Sequence, residues 1–141
     1  MKKLLLITSF LASQLFAAQC TEEQYEPFFV KNSDRYISTC SSRVGKNVFD
    51  KKSVIYDKEN QTIRAWQITQ LSADYTKAIM KGFWEFDIKN NRARSLSESH
   101  QDCNGKPMDF VKDNGEWINI VPNSVNECFL DKLKEYLNIK Q

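Results

Sequence analysis

Glycine is scarce in this chain, with four in 141 residues. None of them falls in a spacing that lets backbone amides cradle a phosphate, which excludes a P-loop or a dinucleotide fingerprint. Histidine occurs once, at His100. No serine occupies the sharp G-x-S-x-G turn that presents a hydrolase nucleophile. No apolar run is long enough to span a bilayer, because the one beginning at Leu4 is broken by Ser13 and Gln14. There is no internal repeat, low-complexity tract or linker. These absences remove most enzyme classes and leave a small single domain.

What is present begins with MKKLLLITSFLASQLFAA, which has the three parts of a secretory leader. Lys2 and Lys3 form the positive end, Leu4 to Leu11 the mostly apolar core, and Ala17 and Ala18 the small residues before cleavage. Residues 1–18 are therefore expected to be a signal peptide and 19–141 one domain. The full chain has a formal charge of +2. The leader holds two of its lysines and no acid, so the exported part is balanced. A balanced domain lacks the field that gathers nucleic acid, and no such partner is expected.

Cys20, Cys40, Cys103 and Cys128 all follow the leader. An even count in an exported chain reads as two disulfides, and four cysteines allow three pairings. Nearness in sequence favours Cys20–Cys40 and Cys103–Cys128, without excluding the others. Cys20 also stands where a new N-terminus could be lipidated. Gln19 occupies the place where such a site wants a small residue, so no stable membrane anchor is expected.

The body of the domain is β-rich. Thr21 can cap a short helical turn that Pro27 limits. Tyr36 and Ile37 begin a short strand ending at Cys40, and SSRVGKN (41–47) reads as a loop. Val48–Phe49 and Val54–Tyr56 are short apolar runs, and the polar DKENQ reverses the chain into TIRAWQITQL. In AIMKGFWEFDI, period two places Ala78, Met80, Gly82, Trp84, Phe86 and Ile88 on one face. Ile79, Lys81, Phe83, Glu85 and Asp87 fall on the other. KNN turns this strand into RARSLSES, whose polarity predicts an edge or solvent-facing strand. MDFV and EWINIV are further short runs between turns.

At PNSVNE the period changes. Pro122 closes a strand. Ser124 and Glu127 form a capping box. Beyond them Val125, Cys128, Phe129, Leu133 and Leu137 line one helical stripe. The predicted fold is α+β, a small antiparallel β-sheet packed against a C-terminal amphipathic helix and stabilised by disulfides.

Candidate chemistry is sparse. His100, Asp102 and Cys103 could supply zinc donors, but no second ligand pair follows and an oxidised Cys103 is not a ligand. The same oxidation removes a cysteine–histidine nucleophile. Glu85 and Asp87 share a strand face, as ordinary solvated strand charges also do. Trp66, Trp84 and Trp117 could form an aromatic binding surface, with core packing the simpler account of Trp84. Lys89, Arg92 and Arg94 surround one hairpin and are the candidate partner-binding residues. No catalytic residue, cofactor or metal is expected.

Three blocks then stand out: NVFDKKSVIYDKENQTIRAWQI, FWEFDIKNNRARSLS and EWINIVPNSVNE. Together they resemble the bacterial surface-adhesin protein E-like family. The first block matches its pattern at Phe49, Asp50, Ser53, Val54 and Trp66, the second at Phe86, Asp87, Lys89, Arg92 and Arg94. The third matches at Trp117, Val121, Pro122 and Ser124. Ile88 stands where the family often has a cysteine, so its disulfide pattern does not transfer. The resemblance implies an exported, non-enzymatic binding protein, periplasmic or secreted, of the adhesin kind that contacts host extracellular proteins. The exposed edges of such a sheet, like the resemblance, make a homodimer an expectation. The competing reading is a periplasmic inhibitor of a hydrolase such as lysozyme or a protease, since small disulfide-linked β domains present loops rigidly.

Overall fold

The computed structural model describes residues 34–41, 45–71, 79–102, 104, 106–111 and 115–140. The leader, the turn expected after Thr21, Cys20 and Cys103 lie outside the described residues.

Among the described residues eight antiparallel strands form one sheet: β1 (Tyr36–Ser38), β2 (Gly45–Asp50), β3 (Ile55–Asp57), β4 (Thr62–Leu71), β5 (Ile79–Asp87), β6 (Arg92–Gln101), β7 (Pro107–Val111) and β8 (Ile118–Asn119). The order is β1-β2-β4-β5-β6-β7, with β3 beside β4 and β8 beside β6. Two edges are therefore shared. β2 and β3 both pair with β4, separated by a 3-10 turn at Lys51–Ser53, and β7 and β8 both pair with β6.

Helix α1 (Val125–Tyr136) covers one sheet face. Its stripe buries Phe129, Leu130 and Leu133 against Phe49, Ile63, Ala65, Phe86, Ala93 and Ile120. Phe129 stands edge-on to Phe86 with ring centroids 5.1 Å apart, and 5.9 Å from Phe49. Burying each such side chain contributes roughly 2 to 3 kcal/mol. Both helix ends are capped, the first largely as the Ser124–Glu127 spacing predicts. The Glu127 amide donates to Ser124 Oγ (3.2 Å), while the Glu127 carboxylate accepts from the Asn123 amide (2.6 Å), one residue before the serine. At the other end Asn138 takes φ 55°, and the amides of Asn138 and Ile139 donate to Glu135 and Lys134. That is a Schellman stop with asparagine in the left-handed position.

Within β5 the period-two assignment holds: Phe86 is fully buried on the helix side, and Trp84 and Ile88 pack against the same core. Gly82 has a steric reason to be glycine. A Cβ there would stand 2.7 Å from Nε1 of Trp84, so the indole lies over the bare backbone.

Three sequence expectations are corrected. The loop at 41–47 gives way to strand at Gly45, because Asn47 is tied in from both sides: it accepts from Thr69 Oγ1 (2.6 Å) and donates to the Cys40 carbonyl (2.8 Å). The polar strand RARSLSES is not at an edge, being flanked by β5 and by β7 and β8, although most of its side chains stay partly exposed, in keeping with the solvent-facing alternative. Its arginines are matched by carboxylates on β5, so polarity does not place it at an edge. Among the described residues a disulfide joins Cys40 to Cys128, with Cα atoms 6.0 Å apart and a sequence separation of 88. Pairs chosen by sequence proximity miss this link because α1 packs back across the sheet and brings its first turns to the end of β1.

Candidate functional site

Two hairpins lie side by side at one end of the sheet, since Thr62 of β4 is directly opposite Asp87 of β5 and the Ile88 amide donates to the Gln61 carbonyl (3.0 Å). They share one design. In the β3–β4 hairpin the Asp57 carboxylate accepts from the amides of Glu59 and Asn60 and from the Asn60 side chain, and Gln61 takes φ 52°. In the β5–β6 hairpin Asp87 accepts from the amide (3.0 Å) and side chain (2.7 Å) of Asn90, and Asn91 takes φ 50°. An aspartate three residues before an asparagine, followed by a left-handed residue, makes each turn rigid. The D-x-x-N spacing is visible twice in the sequence and marks these turns.

From this end the sheet face opposite α1 carries a ladder of charge. Glu85 lies between Arg64 and Arg94 in the strand register, and Asp87 opposite Arg92. Arg94 Nε donates to Glu85 Oε2 (2.6 Å), and Arg92 Nε to Asp87 Oδ2 (2.9 Å). Glu85 and Asp87 are buried, 8% and 6% exposed. They are not the solvated strand charges that their spacing predicts. Buried carboxylates persist only when paired, and the guanidiniums of the next strand supply that pairing. The Asn90 side chain first, then the Asn90 amide and Arg92, hold the Asp87 carboxyl below its ordinary range against the opposing effect of burial.

Trp117 closes the ladder. Its ring receives Arg94 at 4.4 Å and Arg92 at 4.7 Å. Gly115, two residues earlier, takes φ 70°, a conformation side chains resist. On β4 and β5 the same face continues into Trp66 stacked on Phe83, with centroids 5.0 Å apart. Trp66 and Trp117 thus share a sheet face, while Trp84 belongs to the helix side.

The first sequence block also acquires a structural account. Asp50 accepts two bonds from Arg35 (3.1 and 2.8 Å) and one from the Lys52 amide (3.0 Å). Burial pushes the Asp50 carboxyl up, but these bonds outweigh it and the net shift is downward. Ser53 Oγ donates to the Asp50 carbonyl and accepts from the Trp66 amide (2.9 Å). A single hydroxyl therefore satisfies the β4 amide where the 3-10 turn interrupts strand pairing.

The three candidate binding residues have different surroundings. Lys89 is exposed at the hairpin tip, whereas Arg92 and Arg94 are bound to carboxylates and to Trp117. The cation–ring contacts escaped sequence reasoning because Trp117 lies more than twenty residues from both arginines. Of the three potential metal donors, His100 is buried with Nε2 2.9 Å from Glu98 Oε1, and Asp102 accepts from the amides of Asn104 and Lys106. Cys103 lies outside the described residues. Among the described residues no group of three histidine, cysteine, aspartate or glutamate side chains could hold a metal ion.

The architecture of the described residues defines a class: an antiparallel sheet with a covering helix, cross-linked to that helix from the segment just after β1. Among solved structures it is similar to protein E of Haemophilus influenzae. The TM-score is 0.57 at 9% identity, covering 76% of this chain and 89% of that one. The likeness is one of fold. No family model and no curated protein matches the sequence.

Proposed function

We propose that this chain is an exported binding protein of the adhesin-like kind, acting without catalysis through contact with a protein partner. The observation that carries the reading is the preorganised hairpin end of the sheet. Its turns are locked by Asp57 and Asp87, its arginines are held in place, and Lys89 is presented at the tip. A surface already ordered before contact loses little conformational freedom on binding. The fold likeness to protein E supports the same reading. The Cys40–Cys128 bond is consistent with an oxidising compartment, and among the described residues no helix is long and apolar enough to cross a membrane.

The test is capture by the purified protein of immobilised host matrix and serum proteins, beside a panel of periplasmic hydrolases. Binding to a matrix or serum protein that falls in Lys89→Glu and with added salt supports the reading, because rim charges act mainly on association. Tight, selective binding to a hydrolase with loss of its activity would replace it with the inhibitor reading.

A further inference from the structure

On the sheet face away from α1, Val48, Ile68 and Ile79 are 1%, 3% and 2% exposed. Val48 and Ile68 are direct cross-strand partners, and Ile79 is opposite Gln70, two residues along β4 from Ile68. None of the three belongs to the core beneath the helix. An open antiparallel face leaves such side chains partly wet, and Trp66 and Phe83, one row away on the same face, are half-buried. Lys81, directly opposite Ile68, is half-buried as well. Burial first, then the Arg35 charge, hold its ammonium below the ordinary lysine range against the opposing effect of Asp50. A second layer therefore covers this part of the sheet.

The segment that supplies it is indicated at both of its ends. Arg35, one residue before β1, is bound to Asp50 and acts on Lys81, so its side chain leans over the covered face. Just upstream, TEEQYEPFFVKN (21–32) carries Tyr25, Phe28, Phe29 and Val30 among three glutamates. These offer apolar groups to Val48, Ile68 and Ile79, and acids to Lys46 and Lys81. At the other end, the Cys40–Cys128 bond leaves Cys20 and Cys103 as the remaining cysteines. Cys103 follows β6 by two residues, and Gln101 at the end of β6 is opposite Ile79. A path from Arg35 to that corner crosses β2, β4 and β5 over Val48, Ile68 and Ile79 in turn. Four strand spacings and four residues along the strands make it roughly 23 Å long. The fourteen residue steps from Asp34 back to Cys20 reach about twice that when extended.

We infer that Cys20 and Cys103 form a second disulfide, which ties residues 21–33 across Val48, Ile68 and Ile79. The bond forms by exchange with a disulfide oxidant of the exporting compartment. One S–S bond forms between the two cysteines and one breaks in the oxidant, which takes up their two electrons and two protons and leaves as a dithiol. Cys20 Sγ is then closed to thioether lipidation, so the chain is released rather than anchored. The covered face is also closed to partners, which leaves them the hairpin end of the sheet. The inference shares with the proposed function its oxidising compartment and not its binding role.

Non-reducing peptide mapping of the exported full chain tests the bond, with the Cys40–Cys128 peptide pair as internal control. The Cys20 and Cys103 peptides are expected together. Their separate recovery beside an intact Cys40–Cys128 link, or an acylated Cys20, overturns this inference alone. Loss of both links overturns it together with the oxidising compartment. The cover is tested by acetylation of the native protein, reading Lys81 against the exposed Lys89. Phe28→Ser combined with Phe29→Ser should raise Lys81 reactivity several-fold and leave Lys89 unchanged, with circular dichroism reporting the fold. Unchanged Lys81 reactivity assigns the cover elsewhere and overturns the proposal, as does a rise produced by Tyr75→Ser and not by the phenylalanine variant. If that variant fails to fold, Cys20→Ser combined with Cys103→Ser keeps the test decisive, because freeing the tether should also raise Lys81 reactivity.

Discussion

Arg94 makes two contacts with different partners on one guanidinium: its Nε donates to the buried carboxylate of Glu85, and its centre stands 4.4 Å from the Trp117 ring. A residue of the sheet interior is thereby linked to a segment that pairs with β6 through only two residues of β8. Removing the carboxylate leaves Arg94 with the ring alone. Glu85→Ala should destabilise the fold by about 1 to 3 kcal/mol, below the full cost of a broken buried pair because solvent reaches both arginines. Trp117→Leu should cost about 1 kcal/mol from the lost cation–ring contact, before any loss of packing. Urea denaturation of each variant measures both values, and a Glu85→Ala protein as stable as the parent would show that the ladder contributes nothing.

Replacing the hairpin cations should separate them by role. Arg92→Ala and Arg94→Ala uncover Asp87 and Glu85 and should lower Tm by several degrees. Lys89→Ala removes an exposed charge and should leave Tm unchanged. Equal Tm for all three single variants would contradict the pairing described above.

Cys128→Ser should remove the constraint on an 88-residue separation. Closing a loop of that length stabilises by roughly 4.6 kcal/mol in the chain-entropy account. Chemical unfolding with and without reductant reads the difference. Non-reducing peptide mapping must recover the Cys40 and Cys128 peptides together, and recovery of Cys40 linked to Cys20 would refute the pairing.

Acid should weaken the protein through its aspartates. Asp50, Asp57 and Asp87 are all held below the ordinary aspartate value in the folded state. Lowered folded values mean that the unfolded chain takes up protons first. The stability they confer is complete above the unfolded pKa, near about 3.9, and is lost as pH falls through the folded values. Tm should therefore be flat down to about pH 5 and fall below it. Asp87→Asn should start lower at neutral pH and show a shallower acid decline, and an unchanged slope would exclude Asp87 as a contributor.

Gly82→Ala should displace the Trp84 indole, since the added methyl would lie 2.7 Å from Nε1. A cost of about 1 to 3 kcal/mol is expected from overpacking, with a changed near-ultraviolet dichroism from Trp84. An unchanged spectrum at unchanged stability would mean that the ring does not lie over Gly82.

Local chemistry was legible in the chain wherever a few neighbouring residues decide it. Ser124 and Glu127 announce the start of α1 because a capping box spans four residues. Phe86 and Trp84 declare their face because side chains alternate with period two. Asp87 and Asn90 mark their turn because an aspartate side chain reaches amides two and three residues on. Interactions between distant segments were not legible. The polarity of β6 suggests an edge or a solvent-facing strand, and its sequence cannot show that Glu85 and Asp87, on another strand, neutralise Arg94 and Arg92 in the sheet interior. Trp117 met those arginines only after Gly115 and the two residue pairs of β8 laid its segment along β6. Cys40 met Cys128 because α1 returns across the sheet toward β1, a route set by burial of Phe129, Leu130 and Leu133. Period and capping are properties of a few adjacent residues. Charge pairing and cross-linking depend on which strands become neighbours, and packing the whole sheet against its helix decided that.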